Sequence, residues 1–565
     1  MGETKMRKVW WKEAVAYQIY PRSFMDSNGD GVGDIPGIIS RLDYLQELGI
    51  DVIWICPIYK SPNDDNGYDI SDYQDIMDEF GTMEDFDRLL SGIHERGMKV
   101  IMDLVLNHTS DEHPWFIESR SSRDNPKRDY YIWRDGKDGG EPNNWESMFN
   151  GSAWEYDETT GQYFLHLYSR RQPDLNMENP QVRQELINMI RWWLDKGIDG
   201  FRVDAITHIK KLPGLPDMPN PHKLRYVDAM DGHRNVEGIH DFLQLFKREA
   251  FADYDIMTVG EASGAPISEA DRWIGEENGA FNMIFQFEHV NLDFGPEGRW
   301  DFGPWEMAKL KGIMKKWQTG LEGIGWNALY LENHDQPRSV SRFGDPDNYP
   351  KESAKMLATF FMLMQGTPFI YQGQEIGMTN VVFKELTDYR DVEIYNFYRE
   401  RLMDGKDVEE TMRRIAYRAR DNARTPMQWD DSLFGGFTTG VPWININPNY
   451  REINVKRQLQ EADSVLNYYK ALIRLRKENE ALIYGRYDGW LDDHPEIFVY
   501  SRTFEGRAFL IVLNFYGNAP EFTVPPEFAG FKRDVVLSNY PDRPDRKQSS
   551  FTMRPYEAVV FRLER

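Results

Sequence analysis

One unit recurs along this 565-residue chain and constrains its fold more than any other feature. In each copy an amphipathic helix ends near a glycine, and an apolar strand then runs into polar residues. The glycines at these turns are Gly49, Gly97, Gly197 and Gly366. Strands that alternate with helices form βα units around a parallel sheet. The repeat therefore predicts an α/β protein.

Eight apolar segments have the character of strands in such a sheet. They begin near residues 17, 52, 99, 200, 256, 283, 328 and 367. Eight strands favour a closed (β/α)8 barrel, the TIM-barrel fold, over an open doubly wound sheet. No GxGxxG sequence follows the first strand, which also argues against a dinucleotide-binding fold.

The βα pattern is interrupted after the third strand, and this interruption predicts the domain organisation. Residues 109–174 are rich in Gly, Asn, Asp and aromatic residues and are too long for a βα loop. We expect a small inserted domain there, over the active face. Residues 485–565 contain only strand-like runs, which predicts a C-terminal antiparallel β-sandwich. The catalytic barrel would then comprise residues 1–108 and 175–484.

Composition limits the partners of the chain. Lys and Arg total 67 against 92 Asp and Glu, a net charge of −25, which argues against nucleic acid. The single cysteine, Cys56, can form no internal disulfide, which fits a reducing compartment. No apolar leader or membrane-length apolar stretch is present. We expect a cytoplasmic protein that does not bind membranes, as a monomer or a homodimer.

Three acidic residues each follow one of the apolar runs. They are Asp204, Glu261 and Asp335. Charged side chains are costly in apolar surroundings unless they are paired or used. The C-terminal strand ends of a parallel barrel are where catalytic groups collect. Three carboxylates there indicate acid/base or nucleophilic chemistry.

The neighbours of these carboxylates suggest a role for each. Arg202 and Asp204 are two residues apart on a strand and point to the same side. A guanidinium group favours the ionised carboxylate, so Asp204 suits a nucleophile, although a structural ion pair is the alternative. Glu261 follows an apolar run, where desolvation would raise its pKa and suit it to be a general acid. Such a pair is typical of retaining glycoside hydrolysis.

Four segments resemble, in order and spacing, the signature segments of the α-amylase family of glycoside hydrolases. They are DLVLNH at 103–108, GFRVDAITH at 200–208, TVGEA at 258–262 and LENHD at 331–335. QPDLN at 172–176 and RDNARTPMQWD at 420–430 are similar to the oligo-1,6-glucosidase and α-glucosidase branch. The resemblance covers essentially the whole chain. It implies Asp204 as nucleophile, Glu261 as acid/base and Asp335 as the carboxylate that holds sugar hydroxyls and favours ring distortion.

The same resemblance implies which residues bind the substrate. The residues expected to hold glucose in the glycone subsite are Asp65, Tyr68, His108, Arg202, His334 and Arg420. Asp65 and Arg420 are expected to close the pocket around the non-reducing end, which makes the enzyme exo-acting. His208 is expected to line the second subsite.

We therefore expect a retaining exo-α-glucosidase for short α-glucosides, with some transglucosylation. Ala205 follows the nucleophile. In the resembling family, oligo-1,6-glucosidases carry Val there, whereas enzymes that accept α-1,4 linkages carry a smaller or hydroxylated residue. Ala205 thus favours α-1,4 linkages, as a specificity residue.

Other functions within and beside this family stay open. An oligo-1,6-glucosidase and a trehalose-6-phosphate hydrolase are the first alternatives. Sucrose isomerases carry an RLDRD motif after the third carboxylate, which residues 337–350 lack. A non-catalytic, transporter-associated homologue would lack the carboxylates and carry a membrane span, unlike this chain.

The loop DSNGDGVGD also has the spacing of a cation site. Oxygen ligands recur at alternate positions, as in the first part of a calcium loop. The candidate ligands are Asp26, Asn28, Asp30, the Val32 carbonyl and Asp34. Gly37 stands where a calcium loop has its bidentate Glu, and a tight turn without metal is the alternative. The family resemblance implies one structural Ca²⁺ (or Mg²⁺) here, far from the chemistry.

Overall fold

Eight parallel strands form the centre of the fold. The structure is a computed structural model that describes residues 7–542 and 546–565. The strands are β1 (Ala16–Ile19), β2 (Val52–Ile55), β3 (Lys99–Val105), β4 (Gly200–Asp204), β5 (Met257–Glu261), β6 (Met283–Phe285), β7 (Ala328–Leu329) and β8 (Thr367–Tyr371).

These strands close into a barrel. Neighbours pair in the order β6-β5-β4-β3-β2-β1-β8-β7, and every pair is parallel. A parallel bridge between Ile284 and Asn327 brings β6 beside β7. The predicted (β/α)8 barrel is confirmed. The predicted catalytic segment starts at residue 1, so its first six residues lie outside the described part of the chain.

Helices follow the strands and cover the outside of the barrel. They are Ile35–Ser40, Leu42–Leu48, Met83–Glu95, Pro180–Lys196, Ile239–Phe246, Ala270–Ile274, Met307–Gly320, Pro350–Met362 and Val465–Lys477. The first predicted helix is divided in two, because Arg41 leaves the helical region with φ −114° and ψ 7°. Gly49 then ends the second piece with φ +103°, a conformation that glycine adopts without strain.

The chain leaves the βα pattern where the sequence predicts an insertion. Between β3 and the helix Pro180–Lys196, helix Pro114–Ser121 precedes a small antiparallel sheet. Its strands are Trp133–Arg134, Trp154–Asp157 and Gln162–Leu165. The end of the insertion lies at the C-terminal end of β3, since Asp174 pairs with His108, just beyond β3. The boundaries of the inserted domain stay a prediction.

A second long excursion follows β8. Its helices are Val392–Met403, Val408–Arg418 and Val455–Gln460. A hairpin formed by Phe294–Gly295 and Gly298–Phe302 packs on the second of these helices, where the Phe302 and Tyr417 rings stack with centroids 3.9 Å apart. Four shorter helices complete the barrel, at Trp10–Glu13, Met230–His233, Ser339–Phe343 and Glu480–Ile483.

The C-terminal region contains antiparallel sheets, as predicted. Five strands pair in one sheet: Arg486–Trp490, Ile497–Phe504, Arg507–Asn514, Lys532–Ser538 and Ala558–Glu564. Glu521–Thr523 and Ser550–Thr552 form a second, two-stranded sheet. Phe522, Phe551 and Phe561 share one apolar cluster with residues of both sheets. Residues 543–545 of the predicted sandwich lie outside the described part.

Among the described residues, 7–542 and 546–565, no helix combines the length and the apolar character needed to cross a bilayer.

Candidate active site

The three predicted catalytic carboxylates lie at the C-terminal end of the barrel. Asp204 is the last residue of β4 and Glu261 the last residue of β5. Asp335 differs from the prediction, because β7 already ends at Leu329. An irregular segment carries Asp335 from there to the centre of the site, where Asn333 Oδ1 accepts the main-chain N–H of Asp335 at 2.8 Å.

Arg202 connects the carboxylates of neighbouring strands. Its Nη1 donates to Asp204 Oδ1 at 2.8 Å and to Asp103 Oδ1 at 2.7 Å, and its Nη2 contacts Glu261 Oε2. The predicted same-side placement of Arg202 and Asp204 is therefore confirmed. Trp54 Nε1 and Tyr68 Oη donate to the other oxygen of Asp103, at 3.0 and 2.9 Å.

The electrostatic balance at Asp204 differs from the sequence-based expectation. Burial, together with the negative charges of Asp103 and Asp335, raises the pKa of Asp204 to about 7, although Arg202 opposes this shift. The guanidinium group therefore does not keep this carboxylate fully ionised at neutral pH. Glu261 was expected in apolar surroundings, but the structure gives its carboxylate a cationic partner in Arg202.

Two arginines and a histidine contact the carboxylate of Asp335. Its Oδ1 accepts from Arg424 Nη2 at 2.9 Å and from Arg420 Nη1 at 3.2 Å. His334 Nε2 lies 3.2 Å from the other oxygen. Burial alone would raise the pKa of Asp335, but His334 and the two arginines lower it well below its usual range. Asp335 is thus ionised at neutral pH.

Arg420 joins the predicted glycone residues into one closed end. Its Nη2 donates to Asp65 Oδ1 at 3.0 Å, and its Nε and Nη2 each lie 2.7 Å from an oxygen of Asp391. The ring of Phe149, from the inserted region, lies 4.8 Å from the guanidinium carbon. Burial raises the pKa of Asp65 to about 8 despite Arg420. Its second oxygen accepts from Gln172 Nε2 at 3.0 Å.

Tyr68, His108 and His334 form one wall of the site. The rings of Tyr68 and His334 stack, with centroids 5.1 Å apart and planes at 7°. His108 Nε2 lies 3.2 Å from the main-chain oxygen of Tyr68 and 3.2 Å from Gln172 Nε2. Burial lowers the pKa of His108 to about 4 and that of His334 to about 3, so both are neutral at pH 7.

Ala205 and His208 lie directly beyond the nucleophile. Ala205 leaves the strand with φ +45° and ψ 34°, in the left-handed region, and only 2% of its surface is exposed. His208 is also buried, and its Nδ1 lies 2.9 Å from His233 Nδ1. Its ring lies edge-on to that of Tyr168, with centroids 6.3 Å apart and planes at 89°. Burial lowers the pKa of His208 to about 3. A direct place in a second subsite stays a prediction for His208.

A buried lysine behind these residues joins three segments. Lys211 Nζ lies 2.7 Å from Asp174 Oδ2, and it donates to Asn107 Oδ1 at 2.8 Å and to the His208 carbonyl at 2.9 Å. Asn107 follows β3, Asp174 belongs to QPDLN and His208 follows β4. This contact, which we call the Lys211 clamp, fastens the insertion to the barrel.

Comparison with known proteins identifies the family. Residues 18–485 match the family described as alpha amylase, catalytic domain. The chain belongs to the α-amylase family. It is an O-glycosyl hydrolase of that family, as its relatives are. An oligo-1,6-glucosidase of Parageobacillus thermoglucosidasius is 57% identical over 559 residues, covering 99% of this chain and 100% of the relative.

Solved structures of this glycoside hydrolase family share the fold. The trehalose-6-phosphate hydrolase of Bacillus licheniformis is 47% identical, with a TM-score of 0.92, covering 99% of this chain and all of that chain. An isomaltulose synthase mutant of Erwinia rhapontici, in complex with D-glucose, is 43% identical, with a TM-score of 0.95 and the same coverage.

Several residues of the site were not singled out from the sequence. They are Asp103, Phe149, Gln172, Asp391, Glu393 and Arg424. Asp103 lies inside DLVLNH and Arg424 inside RDNARTPMQWD. Asp103 could have been found, because an acidic residue within the apolar run of β3 is costly unless it is used or paired. Asp391 and Glu393 begin the helix Val392–Met403, where Asp391 is the N-cap, and nothing local distinguishes them from ordinary capping residues.

The predicted metal loop is stabilised by its own hydrogen bonds. Asp26 Oδ1 accepts the N–H groups of Asn28 and Gly29, each at 3.0 Å. Asp34 caps the helix Ile35–Ser40 by accepting from Gly37 N at 2.7 Å. Within residues 7–542 and 546–565, no group of three or more His, Cys, Asp or Glu is placed to hold a metal ion. The oxygens are of the kind Ca²⁺ prefers, so the ion stays a prediction, and no catalytic step below uses it.

Proposed function

We propose that this glycoside hydrolase is a retaining, exo-acting oligo-1,6-glucosidase, which releases glucose from the non-reducing end of short α-1,6-glucosides. The full-length identity of 57% to a protein of that name supports this linkage over the α-1,4 preference expected from Ala205. The observation in the site that carries the proposal is the closed end built by Arg420, Asp65 and Asp335.

The positions of the carboxylates support a double-displacement reaction. Asp204 attacks the anomeric carbon, while Glu261 gives its proton to the departing glycosidic oxygen, so a β-glucosyl ester forms as the α-bond breaks. Glu261 then takes a proton from water, which attacks the same carbon and releases Asp204. Arg202 touches both carboxylates and holds them at one reacting centre.

The closed end supports exo action. Arg420 bridges Asp65 and Asp335, and Asp65 is 5% exposed. Hydroxyl groups of a terminal glucose offer donors and acceptors to these polar groups, whereas a longer chain would have to displace the Arg420–Asp335 ion pair and the hydrogen bond from Arg420 to Asp65. Burial of ionic partners makes such displacement costly.

A second candidate is an α-glucosidase that prefers α-1,4 linkages, and Ala205 favours it. A small side chain beside the nucleophile leaves more room for the second sugar than Val would. In either enzyme, an acceptor sugar in place of water would give transglucosylation.

The deciding experiment compares kcat/KM for isomaltose, maltose, sucrose and trehalose 6-phosphate. We expect isomaltose to be hydrolysed most efficiently, with the Asp204→Asn variant inactive on all four because a neutral amide is a poor nucleophile. A preference for maltose would select the second candidate. A failure of the wild type to hydrolyse any α-glucoside, or activity retained by Asp204→Asn, would contradict the proposed chemistry itself.

A further inference from the structure

Asp293 is a buried carboxylate outside the substrate-facing residues. It lies between β6 and the hairpin that begins at Phe294, and it is 1% exposed. Its two oxygens accept from three side chains of two other segments. Arg342 donates from Nη2 at 2.5 Å and from Nε at 3.1 Å, Tyr417 Oη donates at 2.7 Å, and Arg418 Nη1 donates at 3.2 Å.

The Arg342 side of this cluster leads to Asp335. Arg342 belongs to the helix Ser339–Phe343, which directly follows the segment of Asp335. Its Nη1 donates to Gln336 Oε1 at 3.0 Å, and its Nη2 donates to the Val290 carbonyl at 2.5 Å. Gln336 is the chain neighbour of Asp335. Arg342 therefore fixes the far side of the turn that presents this carboxylate.

The other side of the cluster leads to Arg420. Tyr417 and Arg418 are the last two residues of the helix Val408–Arg418, and the turn Arg420–Ala423 follows almost directly. Arg420 Nη1 reaches Asp335 Oδ1 at 3.2 Å. Asp293 therefore bonds to side chains beside both Asp335 and Arg420, the two charged residues that meet at the glycone end of the site.

The charges make Asp293 difficult to replace. Two buried guanidinium groups, Arg342 and Arg418, share this one carboxylate. Burial would raise the pKa of Asp293, but Arg342 and Arg418 lower it to about 2, so the carboxylate is ionised throughout the neutral range. Without its charge, two cations would face each other in a buried place, and their segments would separate.

We propose that Asp293 is a positioning residue, which sets the distance between Asp335 and Arg420 and thereby the fit of the glycone. The inference rests on the proposed glucosidase function but not on its linkage. A displacement of a binding group by about 1 Å can lower an enzymatic rate by about 100-fold. The effect should therefore appear in glucose binding and turnover, and not only in stability.

The test uses the full-length enzyme and 4-nitrophenyl α-glucoside, whose glycone is glucose whatever linkage the natural substrate has. Asp293→Asn should lower kcat/KM by about 10- to 100-fold, at a temperature where circular dichroism shows the variant folded. The inhibition constant of free glucose should rise in parallel. The matched control is Asp301→Asn. Asp301 pairs at 3.7 Å with Arg414, which lies on the same helix as Tyr417 and Arg418, but it contacts neither the segment of Asp335 nor that of Arg420. The control should keep wild-type kinetics.

Tyr417→Phe decides the case if Asp293→Asn does not fold. It removes one uncharged donor to Asp293 and keeps the ring stacked on Phe302, so a smaller loss of kcat/KM, about two- to fivefold, is expected for a loss of roughly 0.5–1 kcal/mol. A lower Tm with unchanged kcat/KM and glucose inhibition, in whichever variant folds, would overturn the positioning role. Absence of glucosidase activity in the wild type would instead refute the proposed function.

Discussion

At the scale of single residues, the carboxylate that ends β4 is held between opposing influences. Arg202 attracts its ionised form, while burial and two other carboxylates favour the protonated one. The second influence is larger, and it raises the pKa of Asp204 to about 7. Only the ionised form can attack the anomeric carbon, so this balance should be visible in the kinetics.

We therefore predict that kcat/KM rises as the pH is raised through about 7. Because the pKa of Asp204 is raised, lowering the pH through that value protonates the nucleophile and removes activity. The midpoint belongs to the interacting carboxylates together and is read from kcat/KM, which reports the free enzyme. A profile already flat from pH 5 to 7, with enzyme stability checked by preincubation at each pH, would contradict the prediction.

The left-handed conformation of Ala205 changes what a substitution there should do. A β-branched residue at φ +45° is strained, at a cost of about 1–3 kcal/mol. We predict that Ala205→Val lowers the maltose/isomaltose ratio of kcat/KM, by about 10–200-fold if the full steric effect is felt. It should also lower Tm. The control Ala205→Gly relieves the backbone and should not lower the ratio. An unchanged ratio in Ala205→Val would show that this residue does not select the linkage.

At the scale of secondary-structure elements, the apolar periodicity of the sequence predicts that a strand or helix is present better than it predicts where that element begins and ends. The strand that begins near residue 328 was predicted to end just before Asp335, but β7 contains only two residues. Beyond it the main chain makes other contacts, since the Tyr330 carbonyl lies 2.6 Å from His289 Nε2 and the Asn333 side chain accepts a main-chain N–H. Local side-chain acceptors compete with strand pairing, and an apolar pattern does not reveal them.

The Lys211 clamp connects elements that are distant in sequence. We predict that Lys211→Met lowers stability by about 3–5 kcal/mol, because it leaves Asp174 buried without its cation. Activity on 4-nitrophenyl α-glucoside should fall as well, since Asn107 and His208 lose the same donor. The neighbouring Lys210→Met is the control, because Lys210 pairs with the exposed Glu178 and such pairs contribute about 0–1 kcal/mol. Equal Tm values for the two variants would refute the clamp.

The loop at residues 26–34 raises a separate question about stability. If it holds the predicted Ca²⁺ or Mg²⁺, the ion binds the folded state and stabilises it by mass action. A chelator should then lower Tm with only a modest change in kcat, and adding the ion back should restore Tm. Elemental analysis of the purified protein accompanies the measurement. An unchanged Tm and no bound metal would mean that the turn is stabilised by its hydrogen bonds alone.

At the scale of the whole molecule, the sequence predicted the barrel and the centre of the site but not its surroundings. Arg202, Asp204 and Glu261 lie on strands whose ends must meet, so their proximity follows from the fold class. Asp391, Phe149 and Asp293 come from three loops with no common pattern in the chain. Only the packing of those loops over the barrel brings Asp391 and Phe149 to Arg420 and Asp293 to Arg418, and no local physical signal carries that information.

The closed end of the site has one more consequence, which concerns small cations. Seven carboxylates lie close to four arginines: Asp65, Asp103, Asp204, Glu261, Asp335, Asp391 and Glu393 beside Arg202, Arg299, Arg420 and Arg424. The negative charge of the carboxylates that stay ionised at neutral pH, Asp335 among them, suits the positive charge that develops on the sugar during hydrolysis. It should equally attract a protonated amine that carries several hydroxyl groups. Tris buffer should therefore inhibit competitively while a phosphate buffer of equal ionic strength does not, and assays made in Tris would understate the activity of this enzyme.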